Sequence, residues 1–174
     1  MIRGSDDSVS GYLAGDHRRL EQLLDRSTRD SPRVDAAAHL EFRAGLLRHI
    51  SMEEKILLPA ARAALGGTPL HLAPALRLDH GALAALLVLT PSLTIINAIR
   101  TILAAHNPKE EGPSGIYAQC EKLPGFNSGE ILLRFQEAPA VAMAGYVDTP
   151  VAIASARSAL VRAGYDSGML DCYD

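Results

Sequence analysis

Residues 13–24, LAGDHRRLEQLL, align without a gap on residues 76–87, LRLDHGALAALL. Four leucines coincide, and Asp16-His17 falls on Asp79-His80. Further along, residues 46–55, LLRHISMEEK, align on residues 103–112, LAAHNPKEEG, which lays His49, Glu53 and Glu54 on His106, Glu110 and Glu111. A repeat of this kind confines the chain to two copies of one supersecondary unit packed together. The apolar spacing identifies the unit: Leu13, Leu20, Leu23 and Leu24 recur at helical intervals, as do Leu40, Leu46, Leu47, Ile50, Leu57 and Leu58. Each copy is then a helical hairpin, and two hairpins make a four-helix bundle.

Caps and breakers set the expected boundaries. A first helix is expected over about residues 10–28 with Ser8 or Ser10 as cap, and a second over about 35–65, stopped by Gly66-Gly67. A third follows over about 73–89, and Thr90-Pro91 opens a fourth toward Glu111. Past Gly112 the pattern weakens. Residues 116–123 regain helical spacing, Asn127 followed by Glu130 suggests a cap and a helix through Glu137, and residues 139–148 read as irregular or extended. Thr149-Pro150 opens a last helix that Gly164 ends. The expected fold class is all-α: an up-down-up-down four-helix bundle over residues 1–124, with a C-terminal extension, residues 125–174, containing one or two short helices. The extension is expected to pack on the bundle, because about 50 residues seldom build a core of their own.

Charge and cysteine usage narrow the function. The 174 residues carry 17 basic and 20 acidic side chains, a net charge of −3 with no long run of either sign, so neither nucleic acid nor an anionic membrane is an expected partner. Cys120 and Cys172 form neither a CxxC pair nor a disulfide framework, which fits a reducing compartment. The polar start with Asp6 and Asp7 is unlike a signal peptide, and the longest apolar run, residues 82–89, is too short to cross a bilayer. A cytoplasmic location is the expectation.

Residues four apart share a helix face, which pairs His49 with Glu53 and His106 with Glu110. His17 and His80 sit inside leucine stripes. Burying these imidazoles and carboxylates in one layer is costly unless something pairs them, and a metal centre pairs them. The set is too large for tetrahedral zinc, too rich in nitrogen for magnesium or calcium, and lacks the thiolates of iron–sulfur clusters. Two ions roughly 3.5–4 Å apart, bridged by Glu53 and Glu110 and each holding two histidines, satisfy every group. Iron suits this donor set best, with manganese next and zinc a further alternative. Positions left open on the ions would admit a small molecule.

Rival assignments stand beside these. Glu53 and Glu110 each have an adjacent glutamate, so a solvated acidic face is the competing assignment. For Asp16 and Asp79 a role orienting a ring stands against helix-surface or capping roles, and the latter are favoured because residues one apart do not face each other on a helix. His39 lies ~15 Å along the helix from His49 and reads as a surface histidine; His71 reads as a loop residue. Tyr117 either packs over the site and donates a hydrogen bond there, or is a core or interface tyrosine. Cys120 reads as a small core hydrophobe. No general acid or base is evident beside the candidate ligands, so the sequence assigns no catalytic residue.

The succession DH, HISMEE, DH and HNPKEE resembles the hemerythrin-like, or HHE cation-binding, domain over residues 12–123, about two thirds of the chain. The resemblance implies a non-haem di-iron centre inside a bundle, with His17, His49, His80 and His106 as terminal ligands and Glu53 and Glu110 as bridges. It further implies a protein that binds or reacts with dioxygen, nitric oxide or peroxide in sensing or stress defence. An external electron donor is needed for any turnover, since no CxxC, flavin or nucleotide motif is present. The alternative is an iron storage or delivery module, for example for iron–sulfur cluster repair; a third is an interaction bundle whose site has decayed. Ala84 stands four residues after His80, where oxygen-carrying members have a fifth histidine, which argues against reversible transport. Pro108 falls between His106 and Glu110. Either the helix kinks and still presents both side chains, or Glu111 takes the place of Glu110. The apolar tail helix, residues 151–163, is a candidate contact for a homodimer.

Overall fold

In the computed structural model, residues 8–29 and 33–173 are described, and among them every regular element is helical. The polar start with Asp6 and Asp7 lies outside the described residues. Helix α1 spans Val9–Arg26, and the Ser8 side chain caps it by accepting from the Gly11 N–H. Helix α2 spans Ala36–Met52 from an Asp35 cap, passes through a π-helical turn at Glu53–Leu57, and continues as α3, Leu58–Ala64. The π turn has a local cause. Pro59 has no N–H and its ring excludes the carbonyl four residues back, so the ladder slips and the Leu58 N–H donates to the Glu53 carbonyl, five back. Gly66 and Gly67, at φ of 66° and 101°, then end the helix in a conformation that other residues adopt at a cost.

Helix α4 spans Ala73–Leu86 and α5 spans Leu93–Glu111. The cap of α5 is Ser92, which accepts from the Ile95 N–H, and not the expected Thr90-Pro91. Thr90 is used elsewhere: its N–H and hydroxyl both donate to Asp148, at 2.8 and 2.5 Å. Helices α6, Ile116–Glu121, α7, Ser128–Glu137, and α8, Pro150–Arg162, follow, and a single 3-10 turn at Ser167–Leu170 closes the chain.

Two apolar clusters hold the helices together, and each of the repeated helices runs from one toward the other. Helix α1 runs from a cluster containing Val9 and Leu13 to one containing Leu20, Leu23 and Leu24; α2 runs back, from Phe42 and Leu46 to Met52. Helix α4 repeats the first passage, from Ala73 and Leu76 to Leu83 and Leu86. Helix α5 starts from Ile95, Ile99 and Ile102 in the α1-terminal cluster, and Ile116 and Tyr117 just beyond it belong to the other. Between the clusters lies a buried polar layer: His17, His49, Glu53, Asp79, His80, His106 and Glu110. Leu40, expected on the inner stripe of α2, points outward.

The C-terminal segments complete both clusters. Ala156, Ala159 and Leu160 pack α8 on α4, while Phe135 of α7 reaches Tyr12 of α1, ring centroids 5.6 Å apart. Arg48 of α2 donates to the Phe135 and Ala138 carbonyls at the end of α7, where a cation meets the negative pole of the helix. The inner face of α8 is thus covered by the bundle, and Val151 and Val161 are exposed. Residues 139–148 form an irregular strap pinned by the Val147 N–H to the Val88 carbonyl.

Candidate metal centre

The polar layer divides into two groups that share both glutamates. His17, His49, Glu53 and Glu110 bring one donor atom each within 4.8 Å of one another, and so do Glu53, His80, His106 and Glu110. All six residues singled out from the repeat are thus in one place, and all six are buried. The imidazoles stand in pairs, His17 with His49 at 4.4 Å between ring centroids and His80 with His106 at 4.9 Å. Each glutamate turns one oxygen to each pair. Glu53 places Oε1 3.5 Å from His49 Nε2 and Oε2 3.2 Å from His80 Nε2; Glu110 places Oε2 3.4 Å from His17 Nε2 and Oε1 3.0 Å from His106 Nε2.

Pro108 leaves this arrangement intact. Helix α5 runs through it to Glu111, with Glu110 in the layer and Glu111 against His17. The slipped turn at Glu53–Leu57 begins on the first shared glutamate, so both helical segments that bring a glutamate to the two groups depart from a regular ladder beside it.

Each of the four histidines of the layer is fixed from behind by a carboxylate of the preceding helix in cyclic order. Asp16 of α1 accepts from His49 Nδ1 of α2 at 2.9 Å, and Glu54, on the turn after α2, accepts from His80 of α4 at 2.8 Å. Asp79 of α4 accepts from His106 of α5 at 3.1 Å, and Glu111 of α5 closes the ring on His17 Nδ1 of α1. An ionised carboxylate only accepts, so each ring carries a proton on Nδ1, and Nε2 faces the layer. Three of these carboxylates are held by cations in turn: Asp16 by Arg19, Glu54 by Arg77 and Asp79 by Lys109. Tyr165, from the extension, also donates to Asp79 at 3.1 Å. Asp16 and Asp79 are thus corrected from surface or capping residues to the groups that orient two of the rings. The signal was present in the sequence: the Asp of both DH pairs and the second Glu of both HxxxEE motifs recur in register.

The atoms facing inward are left short of partners. His49 Nε2, His80 Nε2 and Glu53 Oε2 are buried and make no hydrogen bond, although His80 Nε2 and Glu53 Oε2 are only 3.2 Å apart. Donors that crowd together without aligning on one another are aimed at a common point between them. A buried polar group left unsatisfied costs about 1–3 kcal/mol, and a domain is stable by only about 5–15 kcal/mol in all, so three in one layer need a partner. A cation could supply it, and the set of imidazole and carboxylate donors without thiolate fits iron, manganese or zinc.

The protonation balance agrees. Burial alone would push the His49 imidazole down, but Glu53 and Asp16 outweigh it and hold the pKa up at about 10. His80 is likewise opposed by burial and raised to about 11 through Glu110, Glu53 and Glu54. Burial would raise Glu53, yet His49 and His80 bring it well below the ordinary carboxylate range. The layer is a place where positive charge is wanted; a metal ion entering it displaces protons.

His39 lies differently from expectation. It is fully buried, not on the surface, with Nδ1 3.1 Å from the Tyr146 hydroxyl of the strap, while Arg43 sits over the Tyr146 ring at 4.5 Å. Tyr117, buried with Ile116 in an apolar cluster, turns its hydroxyl into the layer, the first of the two placements expected of it. His71 is exposed in its loop and Cys120 is buried, as read from the sequence. A cleft of about 380 Å³ between α1 and α5, lined by His17, Leu20, Leu24, Leu103 and Asn107, reaches the edge of the layer from outside. No helix among the described residues is long and apolar enough to cross a membrane. No protein-family model, curated protein or solved structure matches this chain.

Proposed function

We propose that the chain is a hemerythrin-like, non-haem di-iron protein that binds or reacts with a small oxidant (dioxygen, nitric oxide or peroxide) in sensing or stress defence. The observation that carries this is the division of each glutamate between the two histidine pairs, which is how a carboxylate must lie to bridge two ions. In support of an up-down-up-down bundle, α1, α2, α4 and α5 run from one apolar cluster toward the other in alternating order. His17, His49, His80 and His106 would be terminal ligands, and Glu53 and Glu110 the bridges. When bound, the iron pair supplies electrons to the oxidant.

The residues of the chain hold that chemistry in place. The four outer carboxylates fix the rings so that Nε2 needs no reorganisation to ligate, and the leucines above and below keep bulk water out. The cleft beside His17 admits a molecule the size of the proposed oxidants, since a water occupies only about 30 Å³. Electrons come from an external donor, there being no second redox group in the sequence.

Anaerobically reduced, iron-loaded protein tests this when mixed separately with dioxygen, nitric oxide and peroxide. Its near-ultraviolet and visible absorption should change with at least one of them. A spectrum indifferent to all three would overturn oxidant chemistry and leave iron storage or delivery as the function of the same centre.

A further inference from the structure

The Tyr117 hydroxyl reaches into the layer from a residue that has no counterpart in the repeat. The residue stands in the first turn of α6, just after the link of residues 112–115. Its hydroxyl donates to Glu53 Oε1 at 2.5 Å and to Glu110 Oε2 at 3.1 Å, and lies 3.4 Å from His17 Nε2. These are donor atoms of a single group, that of His17 and His49. On the other side Glu53 Oε2 has no hydrogen-bond partner, and no hydroxyl among the described residues bonds to His80 or His106. Adjacent donors around a six-coordinate ion with bonds of roughly 2.0–2.2 Å lie about 3 Å apart, so the Tyr117 oxygen keeps the spacing of one more ligand.

We infer that Tyr117 is a phenolate ligand of the ion held by His17, His49, Glu53 and Glu110, so that the two metal positions are chemically unequal. One ion then has a protein oxygen where the other has an open position. The bond that breaks is the phenolic O–H, whose proton passes to solvent as the ion binds, and no electron moves. The inference rests on the metal-centre assignment, and the test separates the two.

Full-length protein is loaded with ferric iron, its iron content is measured, and its visible spectrum and resonance Raman scattering are recorded. The expected result is a tyrosinate-to-iron charge-transfer band that disappears in Tyr117→Phe and persists in Tyr165→Phe. Its Raman ring modes should also shift when the protein is made with ring-deuterated tyrosine, a measurement on the unmutated chain that does not depend on the variant folding. Bound iron without such a band or isotope shift, or a band surviving Tyr117→Phe, would overturn the inference and leave the centre standing. Failure of the unmutated protein to bind iron would overturn both.

Discussion

An imidazole with one nitrogen held by a carboxylate has its other nitrogen fixed in direction, and here this holds for four rings at once. The carboxylates come from neighbouring helices in cyclic order, so a defect at one loosens a ring on the next. Asp79→Asn should therefore weaken metal binding about 10–100-fold without removing a ligand, as measured by competition with a chelator of known affinity. An unchanged affinity would mean that His106 is oriented by its packing alone. The six inward residues were legible because they recur in register. Asp16 and Asp79 were misjudged because the sequence argument compared them only with their own helix, whereas each reaches across to the following one. His39 was misjudged for a related reason: its distance from His49 placed it outside the layer, but nothing local announces that Tyr146, far along the chain, folds over it. Burial first, and then the charge of Arg43, depress the His39 pKa to about 4. The unfolded chain, near 6.5, binds a proton there that the folded chain refuses. The stabilisation is present above about pH 6.5 and is lost as pH falls through about 4. Denaturation of wild type and His39→Gln across that interval should show the wild type losing stability more steeply, by about one proton's worth of slope. Parallel curves would contradict the assignment.

At the scale of elements, the helix ends decide where the donors arrive. Asn127 and Thr149 cap the helices they were expected to cap, and Ser8 is the one of the two expected serines that caps α1, since short polar side chains before an apolar stripe are a local signal. Thr90-Pro91 carried the same signal and was overruled by Asp148, which claims the threonine and lets Ser92 start α5. The π turn follows from Pro59, but only the folded chain shows that it falls on Glu53. The link from α5 to α6 is the tightest joint. A Cβ on Gly115 would come within 2.3 Å of the Glu110 carbonyl oxygen and 2.8 Å of the Gly112 nitrogen, both backbone atoms that cannot swing aside. Gly115→Ala should destabilise the fold by about 1–3 kcal/mol in urea denaturation, because it pushes α6, and Tyr117 with it, away from Glu110. A neutral effect would mean the joint has slack that the backbone spacing does not show.

For the whole molecule, two apolar clusters and the polar layer between them act as one unit. The all-helical architecture was legible from periodicity, including the helices and the irregular stretch within residues 125–174, whereas the surfaces on which that segment packs were not, because its apolar positions do not name the partners they cover. Leu160, buried between α8 and α4, ties that segment to the core, and Leu160→Ala should cost about 2–5 kcal/mol of stability by denaturant titration. Stripping the metal should matter as much. A ligand that binds only the folded chain stabilises it by about 4 kcal/mol at a thousandfold excess over its Kd, so chelator-treated protein should melt at a lower temperature and recover when iron is restored. The most direct measurement is the metal content of purified wild type, His49→Ala, His106→Ala and His71→Ala after growth in iron-replete medium. About two iron ions per chain are predicted for wild type and His71→Ala, and a clear loss for the other two variants. Wild type without bound metal, or the same content in all four proteins, would contradict the account.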